Sequence, residues 1–479
     1  IWINFADAMK INREILRLSI PAIVSNITVP LLGLSDTAIA GHLDADFFIG
    51  AIAVGSMMFN ATFWLFGFLR MGTTGLTALA FGKNDQREIR AVFSRAVVLG
   101  AAIGLALLAL AMPLREMLMA DIVEVMQEVL GMSREAAQHW FDGSERAAIS
   151  PDESVRQLAS DYYSVCILAA PALLATTAIQ GWLFGMQTTL YPMIIAVSVN
   201  VINIAASFSF VFLSDLGFIG VAYGTLLANW CGLFIALIMA RRKASGGLWC
   251  GWKEVFAKGS LKRFFTVNTD IFFRSACIMG VSLATTAIGA RLGELTLATN
   301  AVMMQFFHFF SFFMDGFAFT AEALTGRFAG SLDLNLLRRS RNALLSWSAG
   351  MAAAFFLIYC FFYSPIVNLI TDSPTVRENI TEYHIWLTLI PPLTVAAFIY
   401  DGFFIGLTAT RRMLGATLAA AIVFFSVCFI HSDGIHLPDN DRLWAAFLAY
   451  LLTRGMLLAL QSRQVFSRRF ILSLNPQLT

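Results

Sequence analysis

The stretch Ser25 to Leu43, SNITVPLLGLSDTAIAGHL, is almost wholly apolar, yet it holds one carboxylate, Asp36, and a proline, Pro30, six residues before it. A run of this length and polarity belongs in lipid, since crossing a hydrocarbon core of about 30 Å takes roughly 20 apolar residues. The rest of the chain agrees. Of 479 residues 58% are apolar and 13% charged, 43 are Phe, and the mean hydropathy is +0.71, whereas globular domains carry about 25% charged residues. The apolar runs lack the alternation of strands, which points to helices and away from a β-barrel. The expected fold class is therefore an all-α integral membrane protein.

Working outward, apolar runs bounded by charge, Gly or Pro give twelve candidate spans, starting near Ile15, Phe47, Val92, Ala159, Tyr191, Gly217, Phe272, Leu297, Ala343, Ile385, Gly415 and Leu443. The first runs past the length of a signal-peptide apolar region, so no cleavable leader is expected. With a cytoplasmic N-terminus, the inside segments hold 23 of the 33 basic residues and the outside loops seven; Arg70, Arg274 and Arg454 lie in or at the ends of spans. That asymmetry predicts a multi-pass protein of the inner (plasma) membrane with both termini cytoplasmic. The six cysteines, Cys166, Cys231, Cys250, Cys277, Cys360 and Cys428, are scattered and suggest neither a disulfide framework nor a metal site. Without a GxxxxGK[ST] loop, an ATP-driven pump on this chain alone is disfavoured, and no HExxH or GxSxG motif argues for an enzyme. The expectation is a monomer with no cofactor, no bound metal and no nucleic-acid partner.

The chain repeats itself. LSDTAIAGHL from Leu34 lies over LATTAIGARL from Leu283 with five matches in ten. Pro171, Gly181, Gly185 and Thr189 match Pro392, Gly402, Gly406 and Thr410, and Thr77 and Gly82 match Thr325 and Gly330. All fall at corresponding spans, so two pseudo-symmetric six-helix lobes are expected: residues 1–240 and 266–479, joined by a basic cytoplasmic linker, 241–265. Equal orientation of the halves is a pattern of secondary transporters, which work the crevice between them. The first half has an extra outer loop, 114–157, about 27 residues of surplus near Ala120 to Ser150. It reads as a short amphipathic helix ending near Gly131 and another beginning after Ser133, lying at the surface.

An ionised Asp at the centre of a membrane helix costs about 2.5–3.5 kcal/mol on insertion scales, so one is normally present for a function. Asp36 falls in the outer half of its span. Low-dielectric surroundings penalise its charge, which makes it a group able to take and release a proton. Pro21 and Pro30 deprive the carbonyls of Arg17 and Asn26 of their donors, giving this helix two points of bending. The alternative is a carboxylate satisfied by hydrogen bonds beside a static kink. Partners from the same half would be Thr176, Gln180, Asn200 and Asn203, forming a polar cavity; Asn200 and Asn203 share a helix face at i, i+3. In the second half, Thr285 stands at the Asp36 position. Asp270 and Arg274 read as an internal i, i+4 ion pair. Asp315, Glu322 and Asp401 form a candidate cation site, with a packing salt bridge between Asp401 and Arg274 as the competing reading. The glycine pairs Gly181/Gly185 and Gly402/Gly406 have the spacing of close helix contacts. His308 in QFFHFFSFF reads as packed or hydrogen-bonded. Some of the Phe and Met residues suit a cavity wall for apolar cations.

The segments SNITVPLLGLSDTAIAGHLD, FLRMGTTGLTALAFG, DGFAFTAEA and YDGFFIG resemble, in order and across both halves, the multidrug and toxic compound extrusion (MATE) family, in its DNA-damage-inducible protein F branch. The resemblance implies a V-shaped pair of lobes that exports organic cations or other toxic compounds in exchange for H⁺ or Na⁺, with cationic, amphiphilic drugs or toxins and membrane lipid as its partners. Asp36 matches the first-helix aspartate to which that branch's proton coupling is assigned, and Asn200 and Asn203 match its fifth-helix amides. This chain has Ile204 and Ser207 where relatives carry an aspartate a turn beyond those amides, which weakens a Na⁺ site in the first lobe. The reading is a proton-coupled multidrug antiporter. The alternatives are a Na⁺-coupled drug antiporter and a flippase for a lipid-linked or amphiphilic substrate, for which Arg70 and Arg274 are the available phosphate partners.

Overall fold

The computed structural model describes residues 2–40, 42, 47–119, 153–214, 216–429 and 439–474. The surplus near Ala120 to Ser150 lies outside them. The first span is one helix, Trp2–Ala40, unbroken through Pro21 and Pro30. The second is Phe47–Trp64, a 3₁₀ turn Leu65–Gly67, then Phe68–Gly82. The third, Gln86–Ala109, is followed by a short helix Ala111–Met119. The fourth runs Glu153–Cys166, through a 3₁₀ turn Ile167–Ala169, to Ala170–Gly185; the fifth and sixth are Leu190–Phe212 and Ile219–Lys243. The second half has Lys258–Arg291, Glu294–Gly330, Leu334–Ile370, Pro374–Gly406, Thr410–Phe429 and Asp439–Val465, closed by Arg468–Ser473.

Among the described residues eleven of these helices are long and apolar enough to cross a membrane, and Trp2–Ala40 carries the first apolar stretch as the twelfth. Several begin well before their apolar runs, the seventh at Lys258 where hydropathy suggested Phe272. The extra turns carry Lys262 and Arg263, so hydropathy sees only the part meant for lipid. The ninth helix has a break at Phe362 (φ −123°, ψ 15°), three residues before Pro365, where the proline ring crowds the preceding turn.

The repeat extends to the backbone of the connecting turns. Asn84 and Leu332 take left-handed φ values of 57° and 60° at corresponding places. Each precedes an N-cap aspartate, Asp85 or Asp333, whose carboxylate accepts from the Glu88 or Leu336 amide. Gln187 and Thr408 form the second such pair, at φ 61° and 52°.

Spans 2 and 4 cross at Gly181, and spans 8 and 10 at Gly402. A methyl group at Gly181 would strike the backbone of Arg70, and one at Gly402 that of Ala318. Gly402→Val is expected to destabilise the protein by about 1–3 kcal/mol, read as a lowered unfolding temperature in detergent. Gly415→Val, at a glycine with no neighbouring atoms in its Cβ direction, should leave that temperature close to wild type.

The lobes meet through Phe68–Gly82 of span 2, which packs on spans 7, 8 and 10, and through span 1 on span 8. Ser19 and Thr320 share a hydrogen bond of 2.8 Å, and Asn26 Nδ2 donates to the Phe312 carbonyl at 3.1 Å. Gly82 and Gly330, at the basic face, bring the ends of spans 2 and 8 into backbone contact. The other half of span 2, Phe47–Trp64, packs instead against Glu153–Cys166 of its own lobe. The two six-helix lobes thus converge toward the basic face and part toward the opposite one, forming a V. One apolar core, including Leu69, Leu76, Phe317, Leu324 and Phe403, lies at this junction, and separate cores fill each lobe. His308 is not packed inside. It is exposed beside Phe307, because the inward stripe of span 8 runs through Met303, Phe306, Phe310 and Met314 and leaves position 308 on the other side.

The basic linker is held down. Buried Arg95 donates to the carbonyls of Val255 and Glu254 at 2.9 and 2.7 Å and pairs with Glu88 at 2.9 Å, while Trp249 packs edge-on against Phe93.

Candidate functional site

Asp36 lies near the end of the first helix, 4% exposed. Its Oδ1 is buried with no hydrogen-bond partner. Tyr162 and Cys166 of span 4 lie near it, and Tyr162 in turn lies near Ser56 and Thr225. Asn203 Nδ2 donates to Thr225 Oγ1 at 2.9 Å, so one of the two fifth-span amides reaches the surroundings of Asp36 through Thr225 and Tyr162. No Lys or Arg pairs with Asp36 among the described residues. Tyr162 and Cys166 belong to an apolar cluster with Ile39, Ile52, Val211 and Phe218.

The other expected cavity residues are spread out. Asn200 Nδ2 donates to the Thr28 carbonyl at 2.8 Å, about 12 Å along the helix from Asp36 at 1.5 Å per residue. It anchors span 5 to span 1 and does not share a target with Asn203. The carbonyl of Arg17, which Pro21 cannot serve, faces Thr189 Oγ1 at 3.5 Å, so a hydroxyl from the turn between spans 4 and 5 supplies the missing donor. Thr176 and Gln180 lie roughly 15–20 Å beyond Cys166 along span 4, toward the basic face. They are not gathered with Asp36. Sequence reasoning placed all four by depth in one lobe, and depth says nothing of which neighbour a helix turns toward. It missed Tyr162 and Thr225, which carry no charge and stand in no repeated motif.

The second-half acids have different company. Arg70 of span 2 reaches across the junction to Glu322 with two bonds of 3.2 and 3.4 Å, its guanidinium 3.7 Å over the Phe319 ring. Arg274 pairs with Asp401, and Arg454 of span 12 meets the same carboxylate oxygen at 3.2 Å. Asp315, half-buried, lies in the fields of Arg70, Arg274, Glu322 and Asp401. Three guanidiniums therefore face three carboxylates. Two expectations are corrected here. Asp270 and Arg274 do not form an internal pair, because Asp270 is half-buried and accepts from Thr410 Oγ1 at 2.7 Å, whereas the buried Asp401 needs a countercharge. Asp315, Glu322 and Asp401 do not form an open cation site, since arginines of the same chain already supply the positive charge. Of the two readings of Asp401, the packing salt bridge with Arg274 is the one formed.

With this geometry in place, the comparisons decide the family. A family model described as MatE matches residues 21–138, 146–209 and 271–430. The chain belongs to this family. It is 32% identical over 449 residues to DNA damage-inducible protein F of Escherichia coli (strain K12), covering 94% of this chain and 91% of that protein. It is 22% identical over 443 residues to a probable multidrug resistance protein NorM of Thermotoga maritima, covering 88% and 83%. In fold it is similar to the Vibrio cholerae MATE transporter VcmN in the bent form, with a TM-score of 0.78 at 15% identity over 96% of this chain and 98% of that one. The homologues of this MATE protein are multidrug and toxic-compound transporters.

Proposed function

We propose that this MATE protein is a proton-coupled antiporter that exports cationic, amphiphilic drugs or other toxic compounds by alternating access across the inner membrane, its basic face cytoplasmic. The observation that carries the reading is the contrast between carboxylates. Glu322 and Asp401 are neutralised by arginines, which do not give up their protons, whereas Asp36 is buried with no such partner among the described residues. With no basic side chain of the described residues offsetting it, its charge is removed by taking up a proton, so its state can follow the proton gradient.

In the cycle, Asp36 takes a proton from the open side of the V, the first helix repacks against spans 4 and 5, and drug held in the first lobe leaves. Loss of the proton to the cytoplasm resets the site. Drug and proton need only favour opposite states. The energy suffices: one charge crossing 100 mV is worth about 2.3 kcal/mol, and each pH unit about 1.4 kcal/mol. Na⁺ coupling through the second lobe would have to displace arginines from Glu322 and Asp401. A flippase would need Arg70 and Arg274 for a phosphate, and both are engaged with carboxylates.

The test is uptake of a fluorescent cationic dye into inside-out vesicles under an imposed pH gradient or an imposed Na⁺ gradient. The pH gradient is expected to drive accumulation, up to about tenfold per pH unit for one proton exchanged, and the Na⁺ gradient none. Uptake driven by Na⁺ alone would overturn the proton reading.

A further inference from the structure

A pocket of about 840 Å³ opens on the basic face between the start of span 7, the turn joining spans 10 and 11, and the C-terminal helix Arg468–Ser473. Lys262, Arg263, Arg411 and Arg412 line it against a single acid, Asp270, which accepts from Thr410. Neutral groups hold the guanidiniums: Arg263 Nη2 donates to Thr408 Oγ1 at 3.2 Å, and Arg412 donates to Gln464 Oε1 at 2.9 Å. Neither has a carboxylate within ion-pair distance among the described residues. Next to the pocket, Lys83 donates to the carbonyl of Leu474 at 2.8 Å. Burial, and after it the neighbouring Arg263 charge, push this ammonium below its ordinary pKa, against the smaller opposing fields of Asp85 and Glu88. The pocket is also apolar underneath, where Val267, Ala409, Phe470 and Leu474 line it.

The internal repeat does not account for this concentration of charge. At the corresponding turn of the first half, Leu190 and Tyr191 stand where the second half has Arg411 and Arg412. Gln187, the counterpart of Thr408, there donates to the Ala323 carbonyl. Arg411 and Arg412 thus have no basic counterparts in the first half.

We propose that the pocket binds the phosphate of an anionic phospholipid from the adjoining leaflet, between Arg263, Arg412 and Lys262, with an acyl chain over Val267, Phe470 and Leu474. Guanidinium and ammonium donors match phosphate oxygens, and basic pockets between membrane helices on this side suit anionic headgroups. Free inorganic phosphate offers the same charge, but it leaves the apolar floor unused.

The experiment is equilibrium binding of a fluorescent phosphatidylglycerol to the detergent-solubilised full chain. Unlabelled phosphatidylglycerol, phosphatidylcholine and inorganic phosphate serve as competitors. Phosphatidylglycerol is expected to compete and the other two not. Arg263→Gln/Arg412→Gln should weaken binding roughly tenfold or more. Lys262→Gln/Arg411→Gln, at the exposed rim, should also weaken it and tests the site if the first variant does not fold. Lys253→Gln, exposed elsewhere on the same face, should bind as wild type. Equal competition by phosphatidylcholine, or undiminished binding in the rim variant, would overturn the site. Full competition by inorganic phosphate would overturn the lipid.

Discussion

Replacing Asp36 by asparagine is expected to bring proton-driven dye uptake down to the level of vesicles lacking the protein, at wild-type expression and with an unfolding temperature no lower than wild type. Asparagine keeps the shape of the side chain but cannot ionise. The Oδ1 of Asp36 forms no hydrogen bond that the change would break, and among the described residues no guanidinium is left unpaired by it. Removing an unneutralised buried charge is, if anything, favourable to the folded state. Dye binding measured in detergent should persist, because the loss is one of coupling. Uptake by Asp36→Asn equal to wild type would make the carboxylate structural and end the proposed cycle.

The reason this residue could be picked out of the sequence is local: a charge in an apolar run is visible without knowing the neighbours. The same holds for the twelve spans and for the repeated turns, where Gly82 and Gly330 or Gly185 and Gly406 mark helix ends by residue type. The partner of Glu322 was not legible, because it is set by packing between residues far apart in the chain: Arg70 and Glu322 are 252 positions apart. The pair of Arg274 and Asp401, 127 positions apart, was one of two open readings, and the second arginine on Asp401, Arg454, was not foreseen. The i, i+4 spacing of Asp270 and Arg274 offered a plausible local pair. Relative burial decided otherwise, since a half-exposed carboxylate can be solvated and a buried one cannot. The first-lobe amides failed as a group for a related reason. Asn200 and Asn203 share a face, yet their side chains reach different helices, one to span 1 and the other to span 6.

The junction network should respond to substitution in the opposite way from Asp36. Glu322→Gln removes one of three carboxylates and leaves Arg70 inside the junction over Phe319 without its partner. Breaking a buried pair from one side costs about 3–5 kcal/mol, so the variant should unfold at a clearly lower temperature and accumulate poorly. Arg70→Met alone should be as harmful, because Glu322 then faces Asp315 with one less cation between them. The double variant Arg70→Met/Glu322→Gln restores two carboxylates against two guanidiniums. It is expected to recover at least half of the lost stability, which a double-mutant cycle of unfolding temperatures would show as strong coupling. Additive losses would mean that the two side chains do not act as a pair. Asp401→Asn, which strands both Arg274 and Arg454, should also lower stability. Compared at equal amounts of folded protein, Glu322→Gln and Asp401→Asn are expected to keep more proton-driven uptake than Asp36→Asn. A loss as large in either would place the coupling group among the arginine-bound acids of the second lobe, and the absence of a countercharge at Asp36 would then have no bearing on transport.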